Sequence, residues 1–290
     1  EGADATIKAL DYGAVDFITK KAAFAEMNSL KDELISKITS IARSSNMQNR
    51  IRRRSILNKM NRGEISQEEM ERIETQDRLK RKSKSDAQEN EQQSKLRKRT
   101  LPKASDIEVI GIGISTGGPT ALMQVIPKLK ASIPVPILIA QHMPQFFTKS
   151  LAERLNSESK LRVKEIENNE RVRSGFVYIG QGGHHFKLMR NGLVQIIDNI
   201  EGELYKPSAN ILFESIGYYS QGKALGIIMT GMGDDGRNGL SSLARMGGYI
   251  ISQDFDSCIV SGMPSAAVNA GVVNEIIPLG KIADFINSIF

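Results

Sequence analysis

Apolar runs without polar alternation recur along the second half of the chain, over 107–114, 135–140 and 224–230. Such runs predict strands buried on both faces, as in a parallel sheet. Between them the apolar spacing turns helical, predicting helices from Thr120 to about Leu129 and over 150–155, 207–218 and 240–246. A further strand is predicted over 249–253 and a helix over 264–270, with Pro264 in its first turn, where the missing N–H does no harm. Alternating strands and helices give a doubly wound, mostly parallel α/β sheet. Runs over 176–180, 186–190 and 193–197 read as an antiparallel insertion, with Asn191-Gly192 as the hairpin turn between the last two.

The first half is patterned differently. Ile7, Ala9 and Leu10 predict a helix over 4–12 that Gly13 ends, and 14–19 reads as a short strand. A second helix over 22–42 would carry Met27, Leu30, Leu34, Ile35, Ile38 and Ile41 on one face. These elements alone are too small to close a core. From 44 to 104 the chain is polar and its apolar residues are too sparse to form a stripe, so it reads as a flexible linker with transient helix at best, supported by pairs such as Glu68 with Arg72 and Glu74 with Arg78. The expected parts are a domain fragment over 1–43, a linker over 44–104 and a second domain over 105–290.

Composition refines this picture in two places. The net charge of +6 would suggest a nucleic-acid partner, but 18 Lys and Arg face nine acids between Arg43 and Lys103, so the basicity belongs to the linker and the rest is net negative. The basic runs 52–54 and 95–99 can touch RNA, DNA or an anionic membrane face. A soluble tether is the preferred reading, and no nucleic-acid partner is expected. No apolar run approaches the ~20 residues of a membrane span and no signal peptide is visible, which points to the cytoplasm. The single cysteine, Cys258, suits a reducing compartment and reads as a buried packing residue. The chain starts at Glu1 rather than Met and reads as a fragment of a longer protein.

Candidate chemistry gathers where three buried strands end, the edge on which sites assemble in open parallel sheets. Ser115 lies on the corner between the first strand and the next helix, within Gly113-Ile-Ser115-Thr-Gly117, a spacing that suits an exposed nucleophile. Two other readings stay open: Ser115 as a plain helix cap, and Gly111-x-Gly113 as the start of a dinucleotide loop. Against the loop, Gln141-His142 stands where an acidic ribose ligand is expected, and Thr116 replaces the third glycine. Of three histidines, His142 follows the second strand, while His184 and His185 fall in a glycine-rich turn of the insertion. After the third strand come Asp234 and Asp235, either of which can cap the following helix or orient a histidine base. Asp234, Asp235, Asp254 and Asp256 are close in sequence, but no His or Cys ligand spacing accompanies them and no metal is expected. A non-catalytic adaptor working through the basic linker is the remaining alternative.

The stretch Ala9-Leu-Asp-Tyr-Gly-Ala-Val-Asp-Phe-Ile-Thr-Lys20 resembles the last third of a response-regulator receiver domain, which is flavodoxin-like, with Lys20 matching that family's phosphoryl-contacting lysine. Gly-Ile-Ser115-Thr-Gly-Gly, Gln-His142-Met-Pro, Lys-Pro-Ser208, Thr-Gly-Met232-Gly-Asp-Asp235-Gly and Gly-Met-Pro264, in that order, closely resemble the chemotaxis protein-glutamate methylesterase (CheB) family. The resemblance implies a serine hydrolase without cofactor: Ser115 as nucleophile, His142 as base, Asp235 as its carboxylate partner, and an oxyanion site at the backbone N–H of Met232 and, at the Ser115 turn, of Thr116. Asp234 falls on a variable position of the motif. The implied substrates are methylated glutamates, and selected glutamines, in the cytoplasmic domains of chemotaxis receptors. The implied second partner is a chemotaxis histidine kinase acting through the receiver domain, whose phosphoacceptor aspartate would lie upstream of Glu1.

Overall fold

The apolar runs over 107–114, 135–140, 224–230 and 249–253 each contain a strand. The computed structural model describes residues 2–18, 27–44 and 94–290, with single residues and short runs between 48 and 75. Its main sheet contains β1 (Val109–Ile114), β2 (Ile137–Gln141), β3 (Arg162–Glu165), β4 (Phe176–Ile179), β7 (Ala224–Ile228), β8 (Tyr249–Gln253) and β9 (Glu275–Ile277). The order is β3-β4-β2-β1-β7-β8-β9 and every pairing is parallel. A separate antiparallel hairpin joins β5 (His185–Leu188) to β6 (Val194–Ile197) across the Asn191-Gly192 turn, where Gly192 takes φ +79°.

Along β1 the side chains alternate between two cores. Ile110, Ile112 and Ile114 face α1 (Gly2–Asp11), α3 (Gly118–Val125), α4 (Phe147–Glu158) and α8 (Leu279–Ile289). The other face of the sheet meets α5 (Ala209–Ser220), α6 (Arg237–Met246), α7 (Gly262–Asn269) and the hairpin. On that second face β1 offers Gly111 and Gly113: a Cβ on Gly111 would lie 2.5 Å from Ile216, and one on Gly113 would lie 2.8 Å from Ala209 and 2.9 Å from Phe213. The two glycines therefore let α5 sit close on the central strand, which accounts for Gly111-x-Gly113 without a dinucleotide.

Several expectations need correction. The run 176–180 is not part of the antiparallel insertion; its strand β4 joins the main sheet parallel to β2 and β3. Residues 14–18 form no strand, since no neighbour among the described residues offers a ladder to pair with. Thr19, Lys20 and most of 45–93 lie outside the described residues. In α2 (Met27–Arg43), Leu34, Ile35 and Ile38 stay exposed instead of forming a buried face. The end of the linker is not free. Arg97 N donates to Val273 O at 2.8 Å, its guanidinium reaches Ala244 O at 3.2 Å, and Arg99 bonds the carbonyls of Gly247 and Gly248. Cationic side chains here cap the carbonyl end of α6, where the helix dipole favours them.

Candidate active site

The chain leaves β1 towards β2 on one side and returns to β7 on the other, so the loops after these three strands diverge around one crevice. Ser115 follows β1, and its N–H donates to Thr230 O at 2.9 Å, which ties its corner to the end of β7. The N-cap of α3 is Gly117, at φ +77° with no side-chain cap, so Ser115 is not the cap of that helix. Gly231 makes room for the serine: a Cβ there would lie 2.9 Å from Ser115 Cβ.

Two buried polar side chains fix the corner. Gln141 Nε2 donates to Ser115 O at 3.1 Å and to His142 O at 3.0 Å, cross-linking the ends of β1 and β2. Thr230 Oγ1 lies 3.0 Å from Thr116 O and accepts from the N–H groups of Ile259 and Val260, both at 3.1 Å. The backbone N–H groups of Thr116 and Met232 have no acceptor among the described residues. Thr116 is nevertheless buried. A buried donor left unpaired is a rarity that points to a ligand oxygen.

His142 Nε2 lies 2.7 Å from Asp235 Oδ2, while Nδ1 is buried without a hydrogen-bond partner. Asp235 is 3% exposed and receives N–H bonds from Ala209 (2.7 Å), Asn210 (2.9 Å) and Gly236 (2.8 Å), with Ser208 Oγ at 3.1 Å. Burial works to raise its pKa. The His142 hydrogen bond and charge and the N–H donors of α5 outweigh burial and hold the carboxyl below its ordinary range. Asp235 thus sits at the N-terminus of α5 and does not cap the helix that follows it; Asn210 Oδ1 accepts from Gly236 and Gly239 at the start of α6, both at 3.0 Å. Asp234 faces outward and pairs with Arg237 at 3.2 Å, and Asp254 accepts from Ser257. Asp234, Asp235 and Asp254 therefore serve different partners, and among the described residues no three His, Cys, Asp or Glu side chains converge on one point.

Ser115, Thr116, His142 and Met232 line one cavity of about 310 Å³, with Asp235 behind the imidazole. Its other walls come from Leu204, Tyr205 and Lys206 and from Asp16, Phe17, Glu33 and Lys37 of the N-terminal segment. Sequence reasoning missed Tyr205, whose ring stacks on His142 with centroids 4.6 Å apart and planes 2° from parallel. It gave no role to Gln141 and Thr230, although each is the first residue of a motif already singled out. His184 pairs with Asp198 at 2.8 Å away from this cavity. His185 is fully buried in β5, and its pKa is lowered by burial first and then by the charge of Lys206. Burial, then the charges of Asp254 and Asp256, push the Cys258 thiol up, so it packs as an inert group.

Arranged this way, a hydroxyl, an imidazole with one free nitrogen and two idle N–H donors can carry acyl transfer. A CheB methylesterase family model matches residues 110–286. The chain is 37% identical to a protein-glutamate methylesterase/protein-glutamine glutaminase of Lawsonia intracellularis, over 99% of this chain and 75% of that one. It is 38% identical to the protein of the same name from Archaeoglobus fulgidus, over 98% and 72%. The crystal structure of the Thermotoga maritima CheB methylesterase catalytic domain superposes with a TM-score of 0.60 at 37% identity, covering 63% of this chain and 99% of that one. With the match running from β1 into α8 and relatives aligned over nearly the whole length, the chain belongs to the CheB methylesterase family.

Proposed function

We propose that this chain hydrolyses methyl esters of glutamate side chains in chemotaxis receptors, and the corresponding glutamine amides, by acyl transfer through Ser115. The observation that carries the mechanism is the orientation of His142: Asp235 takes Nε2–H, and Nδ1 is left buried and unpartnered beside the cavity that Ser115 lines. Asp235 selects the tautomer with its proton on Nε2, so the Nδ1 lone pair is free to act as base.

Ser115 Oγ attacks the ester carbonyl while Nδ1 accepts its proton, and Asp235 stabilises the resulting imidazolium. Negative charge collects on the carbonyl oxygen, where the N–H groups of Thr116 and Met232 receive it; one such donor is typically worth roughly 3 to 4 kcal/mol. Collapse of the tetrahedral intermediate breaks the C–O bond, and Nδ1–H protonates the departing methanol. Water then attacks the acyl-serine as Nδ1 takes its proton, and the second collapse frees glutamate and restores Ser115. With an amide, ammonia leaves in place of methanol.

The family supports receptor cytoplasmic domains as substrate, and with them a cytoplasmic site of action. Among the described residues no helix is long and apolar enough to cross a membrane. The reaction as written uses no cofactor. A histidine kinase acting on a receiver domain that includes residues 1–43 is the proposed second partner, with 44–104 as the connection to 105–290.

The test is methanol release from membranes carrying methylated receptors. Ser115→Ala is expected to lose at least about 10⁴-fold in kcat, with thermal stability unchanged. Release at the normal rate would overturn the assignment.

A further inference from the structure

We propose that Tyr205 is the positioning residue of the base: its ring, stacked flat on His142, holds the imidazole plane and gives its π face to the imidazolium during each proton transfer. This rests on the reading of His142 as the base.

The stack has a centroid separation of 4.6 Å and an interplanar angle of 2°. Asp235 grips the imidazole at one atom, Nε2, and a single hydrogen bond leaves the ring free to tilt about that contact. A second constraint, perpendicular to the ring plane, is what limits that tilt. Tyr205 supplies it and covers one face of the ring.

Tyr205 is itself held. It lies in the short segment before Ser208, the residue that caps α5 and lies 3.1 Å from the Asp235 carboxylate. At its far end the phenol oxygen lies against Gly233: a Cβ there would come within 2.9 Å of it, and Gly233 has φ +86°. The loop that carries Met232 and Asp235 therefore braces the ring that braces the base. Asp235 contacts His142, and the charged groups on the cavity walls are Lys206, Asp16, Glu33 and Lys37. An aromatic face turns its negative quadrupole towards the new positive charge, which an aliphatic side chain of similar bulk does not do.

The experiment compares Tyr205→Phe, Tyr205→Leu and Tyr205→Met in the full chain, reading kcat and KM for methanol release, thermal stability, and the ¹H NMR shifts of the His142 ring protons. Tyr205→Phe keeps the face and is expected to stay within about twofold of the parent in kcat. Tyr205→Leu and Tyr205→Met are expected to lose about tenfold in kcat with little change in KM, and the upfield ring-current shift of His142 disappears in both. Two independent aliphatic variants guard against a folding defect in either. Unchanged kcat in a folded aliphatic variant overturns the proposal, as does an equal loss in Tyr205→Phe, which would assign the effect to the hydroxyl. If Ser115→Ala is dead while Tyr205→Leu is unaffected, this inference alone falls. If Ser115→Ala is active, the acyl-transfer reading falls and takes this one with it.

Discussion

Asp235 stays ionised at 3% exposure because every lone pair of its carboxylate finds a donor: His142, the first two N–H groups of α5 and the N–H of Gly236. Its pKa lies below the unfolded value, so the unfolded chain binds the proton more readily. The stability it contributes is fully present above the ordinary carboxylate range and is lost as pH falls through the folded-state value. Thermal midpoints measured from pH 7 downwards should therefore drop in the acid range, and Asp235→Asn should flatten that part of the curve. The same variant turns an NH₂ towards backbone donors and no longer selects the Nε2–H tautomer; a loss of ~10⁴-fold in kcat is the expected outcome. Ser115 and His142 were legible because each follows an apolar run and so falls on the sheet edge. Tyr205 was not, since stacking between residues so distant in sequence leaves no periodic mark.

At the scale of elements, the central strand is shaped by what it lacks. Gly111 and Gly113 lie within the predicted strand while also fitting the start of a nucleotide loop, and the approach of α5 accounts for both as strand positions. An added methyl at Gly111 meets the flexible tip of Ile216, whereas one at Gly113 meets Ala209 Cβ and the Phe213 ring. Gly113→Ala should therefore destabilise more than Gly111→Ala, by about 1–3 kcal/mol in urea unfolding; the reverse order would contradict the packing described. Arg97→Ala removes a guanidinium from the last carbonyls of α6, and a loss of about 1 kcal/mol is expected. Strand β3, Arg-Val-Lys-Glu, escaped the pattern because one buried Val in four residues gives no periodic signal. Strand β4 was found and misassigned, since its pairing direction depends on where the chain came from and not on its side chains.

Over the whole molecule, the N-terminal segment and the sheet share one hydrophobic core and one cavity. Ile7 and Leu10 are buried with α3 and α4, and the Phe17 ring stacks on Phe147 at 4.7 Å. Lys37 bonds Asp16 and the carbonyl of Phe17, both at 3.0 Å, and Ser36 Oγ lies 3.3 Å from Met232 Sδ. Of these residues, Asp16, Phe17, Lys37 and Met232 line the same cavity as Ser115 and His142. Phe17→Ala combined with Lys37→Ala should raise kcat/KM for methylated receptors severalfold by loosening that wall, while a small methyl ester in solution gains less. Equal rates for both enzymes on the receptor substrate would show that the segment does not limit access.

What the sequence determined by itself was local or periodic: which runs are buried on both faces, where glycine and proline end them, and which polar residues follow each strand. Those are properties of neighbouring residues, and solvent sorts them whatever the topology. The order of the strands, the place of β4, the docking of Arg97 and Arg99 at the end of α6, the seating of Asp235 at the N-terminus of α5 and the coplanar meeting of Tyr205 with His142 were decided by tertiary structure. Each joins groups far apart along the chain, and such contacts exist only once the sheet has closed around β1 and brought its edges together.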